Sequence, residues 1–172
     1  MSITEQVRLA REASLKLAVL STKIKNNALN EIAKAISKNS RLIINENKKD
    51  IEAAEKSKLS DVLVKRLEID ENKINEMIDE IKKVAKLEDP VGKILSQTEL
   101  DKGLMLYQVT CPIGVIGAIF ESRPDVVPQI SSLCLKSGNA VILKGGSEAI
   151  NSNRMLVKII SEAAEKNGIP KG

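Results

Sequence analysis

Two short apolar runs, Val115–Phe120 and Ala140–Leu143, each lead through a turn of small and polar residues into a helical stretch. No other feature limits the fold as much. Strands that are linked through helices lie parallel, and the crossover between them is right-handed. The first helix spans Val126–Lys136, opened by Pro124 or Asp125 and closed by Gly138. The second runs from Glu148 to Lys166, capped by Ser147 and closed by Gly168, with Pro170 beyond. Runs that are apolar throughout are expected of strands covered on both faces. Together these elements read as a parallel sheet in a Rossmann-like α/β unit. Two strands cannot bury both faces of such a sheet, so the unit reads as incomplete and the chain as the front piece of a longer protein.

The preceding residues are built differently. Residues 1–105 hold 20 Lys/Arg and 18 Asp/Glu, against 7 and 5 in residues 106–172, and seven of the nine glycines fall in the later part. Dense charge with apolar residues three and four apart marks amphipathic helices. Val7, Ala10, Ser14, Leu17 and Ala18 form one stripe, with Thr4 as N-cap. Ile24, Ala28, Ile32, Ala35 and Ile36 form a second, and a third stretch over about 39–56 carries Leu42, Ile43, Ile51 and Ala54. Ser60 caps a short helix through Leu67. Asp70 caps another, with Ile74, Met77, Ile78, Ile81, Val84 and Ala85 on one face, and Asp89-Pro90 stops it. Ile94–Leu100, the turn Asp101-Lys102-Gly103 and Leu104–Val109 then read as a β-hairpin, with Gly103 at the left-handed turn position. Two uses stay open for it: an arm that pairs with another subunit's sheet edge, or an edge hairpin of this one.

Composition excludes several chemistries. The chain has no histidine, so Ser-His-Asp and Cys-His catalysis and histidine-ligated metal have no source within it. Cys111 and Cys134 are too few for a four-cysteine zinc site or a disulfide framework, and each reads as a small structural hydrophobe. With no Trp, one Tyr (Tyr107) and one Phe (Phe120), there is no stacking platform for single-stranded nucleic acid. The net charge of +4 comes from interspersed signs, as in a solvated surface rather than a nucleic-acid patch. No apolar run approaches the ~18 residues that span a bilayer, and the start lacks a signal peptide's apolar core. The expectation is a soluble cytoplasmic protein that binds neither nucleic acid nor membrane.

In an open α/β sheet, ligands bind beyond the carboxyl ends of the strands. Two turns lie there. In Glu121-Ser122-Arg123-Pro124-Asp125, Arg123 suits a carboxylate or phosphate, or else a salt bridge with Glu121 or Asp125. In Lys144-Gly145-Gly146-Ser147-Glu148, a lysine leaves the strand, two glycines let the backbone approach a ligand, and Ser147 and Glu148 open a helix. That combination suits a phosphate or a ribose. It is neither the G-x-G-x-x-G fingerprint nor a Walker A loop. Gly114 and Gly117 are expected to relieve crowding at the entry of the first strand.

The segments ESRP (121–124), LKSGNA (135–140) and KGGSEAINSN (144–153) together resemble the gamma-glutamyl phosphate reductases, also called glutamate-5-semialdehyde dehydrogenases. The helical first part and Asp89-Pro90-Val91-Gly92 fit the N-terminal region of that family. It belongs to the aldehyde dehydrogenase superfamily. The resemblance implies residues 1–93 as the helical part of a cofactor domain, 94–110 as a hairpin arm that joins subunits into a homo-oligomer, and 111–172 as the first half of a Rossmann-like NADP-binding unit. It further implies NADPH-dependent reduction of L-glutamate 5-phosphate to L-glutamate 5-semialdehyde and phosphate, in proline biosynthesis. A thiolate attacks the acyl phosphate, phosphate leaves, and hydride reduces the thioester. The nucleophilic cysteine lies in a later catalytic domain; neither Cys111 nor Cys134 matches its motif, so no catalytic residue and no metal site is expected here.

Carried over residue by residue, Lys144 matches the superfamily lysine that holds the adenosine ribose or its 2′-phosphate. Gly145, Gly146, Ser147 and Glu148 complete that turn. Ser147 falls where NAD-preferring relatives place a glutamate, which leaves room for a 2′-phosphate; if the extra glycine shifts the register, Glu148 takes that place. Ile119, Phe120, Glu121 and Ser122 border the cofactor. Ser122 aligns with an oxyanion-stabilising asparagine of relatives, with Arg123 or backbone N–H groups as the substitute. Two other readings stand beside this one: a non-catalytic helical and hairpin assembly module, and a reductase that uses Cys111 or Cys134 itself.

Overall fold

The computed structural model describes residues 2–172. Five helices come first: α1 (Ile3–Leu17), α2 (Thr22–Lys38), α3 (Ser40–Lys56), α4 (Asp61–Leu67) and α5 (Glu71–Lys86). The hairpin follows as β1 (Ile94–Asp101) and β2 (Leu104–Val109). The chain then runs β3 (Val115–Ile119), α6 (Val126–Lys136), β4 (Ala140–Lys144) and α7 (Ile150–Lys166). Local capping chemistry sets several boundaries. The Asp70 carboxylate accepts the Lys73 N–H at 2.7 Å and starts α5. Ser2, not Thr4, caps α1 by accepting the Glu5 N–H. Ser21 does the same for α2 through the Ile24 N–H.

The apolar stripes of α2, α3, α5, α6 and α7 converge on one core, and Ala54, Leu67 and Ala149 form a second, smaller cluster. Leu29, Ile32 and Ile36 of α2 meet Ile43 of α3, Met77 and Ile81 of α5, Val127 and Leu135 of α6, and Leu156 and Ile160 of α7. Helix α2 is central, packed on α5, α6 and α7, so the charged helical part and the α/β part share one interior. Each fully buried Leu or Ile contributes about 1.5–3 kcal/mol relative to exposure.

Four buried polar side chains tie this core across long sequence separations. Asn47 donates to the Leu67 carbonyl at 2.7 Å and to Ser152 Oγ at 3.0 Å, and it accepts the Ile69 N–H at 2.8 Å. Lys25 Nζ pairs with Asp89 at 2.6 Å. Lys136 Nζ donates to Asn26 Oδ1 at 2.6 Å and to the Ala85 carbonyl at 3.1 Å. Asp50 reaches the start of α7. The residues Ser147–Ala149 form a single 3₁₀ turn, and the α-helix begins at Ile150 rather than Glu148. Ser147 makes no capping bond; the Asp50 carboxylate accepts the Asn151 N–H at 3.1 Å and the Ser152 N–H at 2.8 Å instead.

The hairpin is antiparallel and solvent-exposed along nearly its whole length. Gly103 has φ +80°, as the turn requires. Its root is closed by Gly92 N–H to Thr110 O and Thr110 N–H to Lys93 O. β3 and β4 pair in parallel, from Val115 opposite Ala140 to Ile119 opposite Lys144. They are not covered on both faces: β3 is half-buried at best and Ile119 is 83% exposed. A two-stranded sheet leaves each strand one free edge, and α1 and α6 cover only part of it. Gly117 relieves no crowding, since a Cβ there meets nothing within 4 Å; Gly114, at φ +116°, has Arg11 Nη1 at 3.3 Å.

Candidate functional site

β3 and β4 end level with one another. The Phe120 N–H donates to the Lys144 carbonyl at 3.1 Å, which extends the pairing one residue past β3. Both turns therefore leave the sheet at the same height, on the side where an open α/β sheet holds ligands.

The first turn contains a strained residue. Ser122 has φ +47°, left-handed for a side chain that disfavours it, and is almost completely buried. The second turn holds it there. Glu148 Oε1 accepts the Ser122 N–H at 2.6 Å and the Ser122 hydroxyl at 3.1 Å. Burial pushes the Glu148 carboxyl up. Its own N–H, the two Ser122 donors and the Lys144 charge outweigh that and hold it below its ordinary value. Both Ser122 donors are thus engaged by Glu148.

The glycines of the second turn make room for this arrangement. A Cβ on Gly146 would collide with the Glu148 carboxylate. One on Gly145 would collide with the Asn153 amide, and it would sit 3.2 Å from the Phe120 ring. The space each glycine leaves is filled by the protein's own side chains. Lys144 and Ser147 are exposed on this turn. The first N–H groups of α7 are taken up by Asp50, so positive charge at this edge comes from Lys144 rather than from a free helix end.

Arg123 is exposed and pairs with Asp125 at 3.0 Å, the salt-bridge alternative read from the sequence. That pairing holds its guanidinium above its ordinary value. Ile119 and Glu121 are exposed, and Phe120 is half-buried beneath the second turn. Cys111 is exposed on the connection before β3. Cys134 is buried in α6, where burial pushes its thiol up. Among the described residues, no group of three or more His, Cys, Asp or Glu is placed to hold a metal ion, and no helix is long and apolar enough to cross a membrane. Sequence reasoning missed Asp50 and Asn153. Asp50 lies in a charged helix far from the turns. Asn153 had a signal in its place within KGGSEAINSN, and its Oδ1 is buried without a hydrogen-bond partner.

No family model matches the chain. Its whole length does match curated proteins. A gamma-glutamyl phosphate reductase of Acetivibrio thermocellus is 55% identical over 170 residues, 99% of this chain and 39% of that protein. The crystal structure of gamma-glutamyl phosphate reductase from Thermotoga maritima superposes with a TM-score of 0.95 at 38% identity, covering 97% of this chain and 40% of the other. A probable aldehyde dehydrogenase from Listeria monocytogenes shares the fold alone, with a TM-score of 0.69 at 19% identity, over 98% of this chain and 34% of its own. The chain spans about two fifths of the length of the curated relatives it matches. It corresponds to the N-terminal part of the gamma-glutamyl phosphate reductases, with an aldehyde-dehydrogenase-type fold.

Proposed function

We propose that this chain supplies the helical region (1–93), the hairpin arm (94–110) and the first half of the NADP-binding unit (111–172) of an enzyme that reduces L-glutamate 5-phosphate. NADPH is the reductant, and L-glutamate 5-semialdehyde and phosphate are the products, within proline biosynthesis in the cytoplasm. The observation that carries the reading is the 55% identity to gamma-glutamyl phosphate reductase over 99% of the chain.

The residues at the strand ends suit the nucleotide. Lys144 is exposed at the end of β4 and makes no salt bridge among the described residues, so its charge is available to a 2′-phosphate. Glu148 is turned toward Ser122, which leaves the exposed Ser147 hydroxyl on the solvent side. A small hydroxyl there has room for a 2′-phosphate, and a carboxylate would repel it. Ile119 and Phe120 offer an apolar border beside the two turns. When bound, the nicotinamide supplies hydride. This chain's part is to grip the adenosine side and to hold the strand ends rigid through the Glu148–Ser122 bridge. The nucleophilic thiol belongs to the remaining part of such an enzyme, since burial keeps Cys134 protonated and Cys111 lies on an outer connection. The exposed ribbon β1–β2 serves as the arm that joins a second copy.

The test is a titration of the chain with NADPH and with NADH, followed by nucleotide fluorescence, with Lys144→Ala alongside. NADPH is expected to bind more tightly than NADH, and the variant to lose about tenfold in NADPH affinity, the loss of one charge-assisted contact. Equal affinity for NADPH in the variant rejects the cofactor role of Lys144.

A further inference from the structure

Among the described residues, one buried side-chain polar atom has no hydrogen-bond partner, Oδ1 of Asn153. A buried acceptor without a donor costs stability, and an apolar side chain of similar shape would avoid that cost. Asn153 stands in the first turn of α7, where its amide lies against the Lys144 turn. A Cβ on Gly145 would come within 2.2 Å of Nδ2 and 3.3 Å of Cγ, with the Phe120 ring 3.2 Å from the same point. The backbone that carries Asn153 is fixed. The Asp50 carboxylate holds the N–H groups of Asn151 and Ser152, and Asn47 donates to Ser152 Oγ. The turn itself has no such ties, since the Gly145 and Gly146 N–H groups donate to no described residue. An amide with an idle acceptor thus lies against a glycine pair with idle donors. The terminal torsion of asparagine is broad and roughly two-fold. A half-turn about Cβ–Cγ exchanges Oδ1 and Nδ2 within the same volume and turns the acceptor toward the glycines.

We propose that Asn153 is a positioning residue for the nucleotide: its amide has two settings, and nucleotide binding at the Lys144 turn selects the one in which Oδ1 accepts a glycine N–H. The turn is then tied to the clamped start of α7, and Lys144 with it. In the free chain the turn keeps the backbone freedom of two glycines; in the bound chain one hydrogen bond removes it. The inference rests on the reading of that turn as the NADPH site, and it adds a residue that acts without touching the nucleotide.

The test compares the natural chain with Asn153→Leu, which keeps the number of side-chain heavy atoms and removes the amide, and with Asn153→Ala. NADPH binding is followed by nucleotide fluorescence, the Gly145 and Gly146 amides by hydrogen exchange in NMR, and stability by thermal unfolding. NADPH is expected to slow exchange at one of the two glycines in the natural chain and at neither in the variants. Both variants should bind NADPH about fivefold more weakly, as for one lost neutral hydrogen bond. Asn153→Leu should melt no lower than the natural chain, since the idle acceptor is gone. Weaker binding with a lowered melting temperature in both variants marks a packing residue and overturns the proposal. So does glycine protection that persists without the amide. NADPH binding that ignores both substitutions rejects the Asn153 role and leaves the cofactor reading standing; no NADPH binding by the natural chain rejects both.

Discussion

Asp50 Oδ2 accepts both the backbone N–H of Ser152, at 2.8 Å, and its hydroxyl, at 2.6 Å. A carboxylate from the third helix thus caps the last one across 102 residues of sequence. The contact joins the charged helical region to the α/β unit. It also places negative charge against the positive end of the α7 dipole. Removing it strands at least two buried donors. We expect Asp50→Ala to cost about 2–4 kcal/mol, the sum of a lost charged cap and unsatisfied N–H groups. In a chain of this size each kcal/mol lowers the melting temperature by about 2–4 °C. Thermal unfolding followed by circular dichroism measures it, and a change within error would show that the cap is dispensable.

The hairpin root is set by a second contact, the buried Lys25 with the half-buried Asp89, in which Thr22 also donates its hydroxyl to the carboxylate at 2.7 Å. Burial raises the Asp89 carboxyl, but the Lys25 and Thr22 hydrogen bonds and the Val91 N–H outweigh it and bring it below its ordinary value. A depressed carboxylate contributes stability that is present above the unfolded value, ~4, and is lost as pH falls through the folded one. Lys136 lies close enough to feel both charges. Burial and Lys25 push its ammonium down, while Asp89 supports it. Stability by urea unfolding should therefore decline below about pH 4 in the native chain. Lys25→Met should cost about 1.5–3 kcal/mol at pH 7, the loss of a charged hydrogen bond to a half-buried carboxylate that keeps its Thr22 and Val91 donors, and it should flatten the acid decline. An identical acid profile in the variant would dissociate the effect from this pair.

Leu104 and Leu106 lie exposed on β2, and Ile94 and Leu95 on β1. Leu106→Asp should leave the helical signal and melting temperature unchanged within about 0.5 kcal/mol, as for a surface site. If the ribbon joins copies, the same change should convert an oligomer to a monomer in light scattering. A wild-type chain that stays monomeric at high concentration rejects the arm.

Thiol chemistry distinguishes the two cysteines. Cys111 is exposed and Cys134 is buried with its thiol pushed up. A disulfide reagent at neutral pH should therefore titrate Cys111 promptly and Cys134 only once urea unfolds the chain. Prompt reaction of Cys111→Ser with the reagent would show that α6 opens readily.

The parts of this fold that were legible in the sequence are those governed by neighbours along the chain. Ile74, Met77, Ile78 and Ile81 announce α5 because a helix repeats its face every three or four residues, and Asp70 caps it three residues ahead of its donor. Gly103 announces the hairpin turn for the same reason. What stayed hidden depends on partners far away. Asn47, Asp50, Lys25 and Lys136 look like solvated residues on charged helices, yet each is buried because its partner comes from another element. The helix start at Ser147 was misplaced because the cap is tertiary. At the site, the composition of both turns was readable. The link between them was not, since Glu148 and Ser122 are 26 residues apart and nothing local announces that one holds the other.

That link also bears on how such a sheet can be re-engineered or can drift. The turn after β4 is not a portable cassette. Its second glycine exists to clear the Glu148 carboxylate, and the carboxylate in turn holds a serine in a left-handed conformation in the turn after the neighbouring strand. Transplanting residues 144–148 alone onto another parallel sheet would deliver an acid with no mate and a glycine with no purpose. Three positions on two turns must travel as one inheritance.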